Sequence, residues 1–274
     1  MRFWSRLFYE IMLLILPFCF IWGTVYFLGF VNPNTKTGLS IEQENKLGDL
    51  VLEGICSKEN RIKSGAVDSV IVAIQDRLNL KSDPELAKIK IIVMESEQVN
   101  AFALPGNNIL VLSGLIDFCE SPEELAGVLA HELGHIKERH VVKSLTQQIG
   151  LAVLTRLIFN KNTDLINELT TKIIGTGFSR DYEEKADEYA GKKLIGAKLN
   201  PQHLADFLLR MQLKFGGPDG DIGFLSTHPS NDDRIKSIES IKIPKSFSEE
   251  KINCPSWTKA KSIANKATSD RDLF

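Results

Sequence analysis

An excess of charge of either sign is missing from this 274-residue chain: 33 Lys and Arg stand against 35 Asp and Glu, for a formal net charge of -2. No block of five or six like charges occurs anywhere along it. Without a basic field to hold a polyanion, nucleic acid is excluded as the expected partner. Cysteine is scarce, with four residues, and Cys56, Cys119 and Cys254 fall at spacings that match no metal-binding knuckle. An oxidising compartment could pair two of them, Cys56 with Cys254 being the candidate, but the spacing singles out no disulfide. Internal repeats and low-complexity tracts are also lacking. Histidine is sparse as well, five in all, yet three of the five fall within "AHELGHIKERH", residues 130–140.

What the chain does have is one long apolar run. "IMLLILPFCFIWGTVYFLGFV", from Ile11 to Val31, is 21 residues without a charge. About 20 apolar residues cross a bilayer, whereas a signal-peptide core is about 7–15 long and ends in small residues. No A-x-A-like site follows and no small residue precedes Cys19, so an uncleaved transmembrane helix is expected. Arg2 and Arg6 precede the run and only Lys36 follows closely, which places the N-terminus in the cytoplasm and the remainder across the membrane. The expected organisation is an anchor at 1–31, a linker at 32–39, a catalytic domain at 40–240 and a polar tail at 241–274. With 43% hydrophobic residues, the chain has enough apolar side chains for a sizeable core.

Ser40 followed by Gln43 reads as a helix start. A second helical pattern covers Ala66 to Leu80, and "KIKIIVM" alternates as a strand does. "NAFALPGNNILVLSG" holds two apolar runs around Pro105-Gly106, the pair a type II turn favours, and predicts a β-hairpin. Helices are expected at Pro122–Lys143, Leu145–Phe159, Asp164–Ile174, Tyr182–Ile195 and Pro201–Lys214. Beyond Ile241 the chain reads as polar and irregular, with Trp257 as a docking residue.

His131-Glu132-Leu133-Gly134-His135 is an HExxH sequence inside a helical pattern that starts at Ser121, with Glu123 and Glu124 in the first turn. Residues four apart share a helix face, so His131 and His135 can aim nitrogens at one metal ion, with Glu132 flanking that face. A continuing helix carries His140 well away. The bland alternative is a solvated helix surface. Against it, Val128, Leu129, Ala130, Leu133 and Ile136 make the helix apolar nearly all round, and such a helix is buried. Its two histidines and glutamate then need partners.

A catalytic zinc site has three protein ligands and an open position. "SRDYEEKADEYAGKKL" offers the third, with Ser179 as helix cap and Ala186 and Ala190 small enough for close helix packing. Glu183 and Asp187 form one pair at helical spacing, Glu184 and Glu188 another, and the spacing leaves the choice between them open.

"LAHELGHIKERH", followed by "SRDYEEKADEYA" and "STHPSNDDRI", resembles the membrane-associated zinc metallopeptidases of family M forty-eight, which include the CAAX prenyl endopeptidase, HtpX and BepA. "NAFALPGNNILVLSGLI" is similar to the segment that precedes HExxH in the BepA-like and Oma-like branch. The four blocks span Ser40 to Ile238 in the family's order. The resemblance implies a zincin-like α+β fold, mostly helical with a small antiparallel sheet behind one transmembrane helix. It implies one Zn²⁺ per chain on His131, His135 and Glu183, Glu132 as general base, and Asp187 and Arg234 as the residues behind the ligands. His228, in the T-H-P-x-x-x-x-R-I block, is implied as either an oxyanion donor or a removable plug on the metal's open position.

Asn100, Ala101, Phe102, Ala103 and Leu104 are expected to expose an edge strand that pairs with polypeptide substrate. The expected protein is thus a membrane-anchored zinc endopeptidase of envelope quality control on the periplasmic face of a bacterial inner membrane, a mitochondrial inner membrane being the second choice. The alternative is an inactive zinc-binding chaperone or adaptor of the same fold. The chain departs from the HtpX and prenyl-protease branches in having a single expected span, from BepA in the expected lack of its repeat domain, and in carrying Asn107-Asn108 where a second glycine is common.

Overall fold

A computed structural model describes residues 38–56, 61–160, 163–175, 177–216, 223–229 and 232–269, with six further positions between 12 and 20. Fifteen of the 21 residues of the expected transmembrane run lie outside the described residues. Among the described residues no helix is long and apolar enough to cross a membrane.

The domain opens with helix α1 (Ile41–Cys56). Its start is a reciprocal cap, in which Ser40 N–H donates to Gln43 Oε1 at 2.9 Å and Gln43 N–H donates to Ser40 Oγ at 3.2 Å. Helix α2 (Gly65–Arg77) follows, burying Val67, Val70, Ile71 and Ile74 on the face the pattern predicts. Three strands come next, β1 (Lys90–Met94), β2 (Ala101–Leu104) and β3 (Asn108–Leu112).

β2 and β3 form the expected antiparallel hairpin. Gly106 (φ 73°) and Asn107 (φ 58°) both take left-handed angles at its tip, so an asparagine serves where the family often has glycine. The sheet, however, is mixed rather than antiparallel. Its order is β1-β3-β2, and β1 pairs parallel with β3 because the chain crosses to the far edge before the hairpin returns through the centre. Nor is the edge strand exposed as expected: Ala101, Phe102, Ala103 and Leu104 are all buried.

The HExxH segment lies on helix α4 (Pro122–Lys137), reached through the short helix α3 (Ser113–Phe118). Ser121 caps α4, its side chain accepting from Glu124 N–H. Arg210 grips Glu124 from the side, with Nη2 2.8 Å from Oε2. Every residue from Glu123 to Ile136 is buried, so the helix runs through the core.

The expected continuation to Lys143 does not occur. Arg139 adopts φ 54° and turns the chain into α5 (His140–Ile149), and Gly150 (φ 82°) turns it again into α6 (Leu151–Asn160). Arg139 is held in that conformation by Glu44 Oε2, 2.7 Å from its Nε, and by the Leu39 carbonyl, 2.8 Å from its Nη2. Helix α7 (Thr163–Gly175) then leads to α8 (Arg180–Gly196), which crosses α4 at close range. A Cβ on Gly134 would lie 2.8 Å from Ala186 Cα, so only glycine fits at the crossing.

Helices α9 (Gln202–Phe215), α10 (Gly223–Thr227) and α11 (Asp232–Glu239) close the far side. The last segment is not wholly irregular. Trp257–Ser269 forms α12, with Ala260 and Ala264, four apart, fully buried against α2 and α3. Cys56, Cys119 and Cys254 are free thiols, so the candidate pair is not joined.

Candidate metal centre

Where α4 crosses α8, four ionisable side chains converge in the dry interior. His131, His135, Glu183 and His228 are buried, with one ligand atom from each lying within 4.8 Å of all the others. His131 Nε2 is 3.0 Å from His135 Nε2 and 3.2 Å from His228 Nδ1. Glu183 Oε1 is 3.3 Å from His135 Nε2 and 3.1 Å from His228 Nδ1, and its Oε2 is 3.5 Å from His131 Nε2. Separations of 3.0–3.3 Å are those expected between neighbouring donors of a four-coordinate zinc with bonds of about 2.0 Å. The donor set of three imidazoles and a carboxylate fits a borderline metal ion.

Burial separates the two carboxylate pairs that helical spacing treats alike. Glu183 and Asp187 face inward, whereas Glu184 and Glu188 are exposed, the latter beside Lys192. Ser179 caps α8, its hydroxyl accepting from Tyr182 N–H, and so sets the phase that turns Glu183 toward α4.

A ring of supporting groups lies behind the donors. His131 Nδ1 is 2.8 Å from Asp187 Oδ1. With that carboxylate accepting, the proton sits on Nδ1 and the Nε2 lone pair faces the cluster. Asp187 is itself held by Arg234, whose Nε and Nη2 lie 2.7 and 2.9 Å from its two oxygens. Arg234 Nη1 lies 2.6 Å from Glu183 Oε2 and donates to the Pro229 carbonyl at 3.0 Å, tying both carboxylates to the His228 loop. His228 stacks on Phe224 with ring centroids 4.4 Å apart, and Phe178 stacks on His135 at 4.0 Å. His228 is therefore an integral wall of the site and not a solvated loop residue.

Glu132 sits beside the donors. Its Oε2 accepts from Ala103 N–H at 2.7 Å, and its Oε1 has no hydrogen bond and lies 3.4 Å from His228 Nε2, which is also unpaired. Both are buried polar atoms without a hydrogen bond, as groups that meet a bound partner are.

The electrostatics follow from the burial. Burial raises the Glu132 carboxyl above its ordinary value. Burial also opposes charge on His131, but the Asp187 and Glu183 carboxylates outweigh it and bring that ring to about 9. His135 is driven well below its usual value, chiefly by burial. Glu183 is held below the carboxylate range against its burial, by the His228 ring beside it and by hydrogen bonds from all three histidines.

His140 lies nearer the site than a continuing helix would carry it. His140 is fully buried, and its Nδ1 lies 3.0 Å from His135 Nδ1, because the left-handed turn at Arg139 brings it back to the helix it leaves. It is not one of the four converging donors but touches one of them.

The sequence pattern of Peptidase family M48 matches residues 62–242, more than half of the chain and all of this site. The chain belongs to that family. It is 32% identical over 155 residues to the mitochondrial metalloendopeptidase OMA1 of Arabidopsis thaliana, covering 56% of this chain and 32% of that protein. It is 26% identical over 215 residues to the beta-barrel assembly-enhancing protease of Yersinia pestis, covering 74% and 44%, and 25% identical over 212 residues to that of Escherichia coli K12, covering 72% and 43%. The chain thus spans less than half the length of each of these relatives.

Proposed function

We propose that this chain is a membrane-anchored zinc endopeptidase that hydrolyses polypeptides within the bacterial envelope, misfolded proteins being the natural class of substrate. The observation that carries the reading is the buried cluster of His131, His135, Glu183 and His228 with Glu132 at its side. In this reading His131, His135 and Glu183 hold one zinc, and Asp187 and Arg234 fix the ligands' orientation. Zinc held there supplies Lewis acidity, polarising the scissile carbonyl and lowering the pKa of water. Glu132 accepts the water's proton on Oε1, its unbonded oxygen, and returns it to the leaving amine. Its raised pKa suits both halves of that transfer.

β2 lies at the sheet edge, and the outward N–H of Ala103 is bonded to Glu132. Pairing of a substrate strand along Asn100–Leu104 would take that N–H and release Glu132, so that binding and base activation coincide. His228 Nδ1 stands at the fourth corner of the donor set, which favours the plug over the oxyanion role, since a scissile carbonyl needs that corner. His228→Ala is then expected to raise basal cleavage with zinc retained. Loss of turnover with zinc retained would assign the oxyanion role instead.

Anchoring is read from the uncharged run Ile11–Val31, with Arg2 and Arg6 on the cytoplasmic side. The names of the relatives, a mitochondrial metalloendopeptidase and a beta-barrel assembly-enhancing protease, support a protease of a membrane-bounded compartment. The deciding experiment is casein cleavage by the purified chain with and without a chelator, beside Glu132→Gln. Cleavage that needs metal and disappears in the variant supports an enzyme. Metal binding without cleavage by the wild type would favour the chaperone or adaptor.

A further inference from the structure

The two HExxH histidines have different supports on their remote nitrogens. His131 Nδ1 has a carboxylate, Asp187, whereas His135 Nδ1 has another histidine. Two imidazole nitrogens 3.0 Å apart share one proton, so one ring must donate and the other accept. If His140 Nδ1 donates, the neutral His135 carries its own proton on Nε2, aimed at His131 Nε2 3.0 Å away, and cannot ligate. If His140 Nδ1 accepts, the His135 proton sits on Nδ1 and its Nε2 lone pair faces the other donors.

We infer that His140 is a positioning residue whose Nδ1 accepts a hydrogen bond from His135 Nδ1–H and thereby holds His135 in its metal-ligating tautomer. The inference rests on the reading of the site as a metal centre. The fold fixes the His140 ring for this task. A continuing helix would carry it about 140° round from His135, but the turn at Arg139, pinned to Glu44 and Leu39, reverses that displacement. Tyr182, the residue before Glu183 on α8, then stacks flat on the His140 ring, with centroids 4.1 Å apart and planes 6° from parallel. One helix therefore carries both a ligand and the plate that orients the partner of a second ligand.

A purely structural role, a ring filling space against Tyr182, makes a different prediction. His140→Phe keeps a flat ring for the stack and removes the acceptor. His140→Asn removes the ring and places an amide oxygen near the position of Nδ1. Zinc affinity of the full chain would be measured by competition with a chelator of known affinity, and the melting of each metal-free protein recorded beside it. The expected result is affinity 10- to 100-fold weaker in His140→Phe, the range for loss of a residue that orients a ligand, and within a few-fold of wild type in His140→Asn. If His140→Phe does not fold, His140→Ala takes its place, since Ala and Asn both lack the ring and only Asn accepts.

Undiminished affinity in His140→Phe, or equal weakening in the Asn and Ala variants, would overturn the inference and leave His140 as packing. A wild-type chain that takes up no zinc would instead overturn the metal-centre reading beneath it.

Discussion

Arg234 is the residue on which most of the site's charge depends. It lies between Asp187 and Glu183 and is 4% exposed, so removing it takes from two buried carboxylates the guanidinium that bridges them. Breaking a buried pair in this way costs about 3–5 kcal/mol, far more than a surface pair contributes. Arg234→Met should therefore unfold at markedly lower urea in the metal-free form and should bind zinc weakly; a urea midpoint within error of wild type would refute this. Glu132→Gln removes a proton acceptor and no ligand, so it should keep its metal and lose turnover by orders of magnitude. Zinc content and casein cleavage measured on the same preparation separate the two effects.

The two histidines and the acid of the candidate site on α4 were legible in the sequence because HExxH sets its own geometry along one helix. Glu183 became distinguishable from Glu184 only by the resemblance to a family, since helical spacing treats the two pairs alike. His140 was not legible at all, for its position depends on a left-handed arginine, and arginine carries no signal for that conformation.

Helix crossing is what assembles the centre, and it hinges on the close approach of Gly134 to Ala186. Alanine at 134 would gain about 1 kcal/mol of helix propensity, but its Cβ at 2.8 Å from backbone forces α4 and α8 apart, and overpacking of this kind costs about 1–3 kcal/mol. The clash wins. Gly134→Ala should melt lower and bind zinc less tightly than wild type, and calorimetry with zinc titration reads both.

At the sheet edge, Ala103→Pro removes only the N–H that points at Glu132, because the ladder to β3 uses the alternate residues of β2. Zinc should stay and KM should rise; cleavage kinetics equal to wild type would remove the edge strand from substrate binding.

Other elements show where local pattern fails. The hairpin was readable from Pro105-Gly106, whereas the parallel pairing of β1 with β3 joins segments that no local signal connects. Helix α12 leaves a weak periodic trace in the sequence because its fully buried positions are Ala260 and Ala264, which bury little apolar area. α3 is six residues long, too short for a period to register.

For the whole molecule, the anchor and the metal centre make separate claims. Protease added to intact spheroplasts should digest the chain from Ser40 onward if the catalytic domain lies outside the cytoplasm, whereas protection until lysis would reverse the orientation. The metal claim is tested most directly by elemental analysis of the purified chain beside Glu183→Ala. One zinc per chain in the wild type and its loss from the variant is the expected result. A wild type without zinc, or a variant that retains it with undiminished affinity, would contradict the assignment of His131, His135 and Glu183 as the ligands.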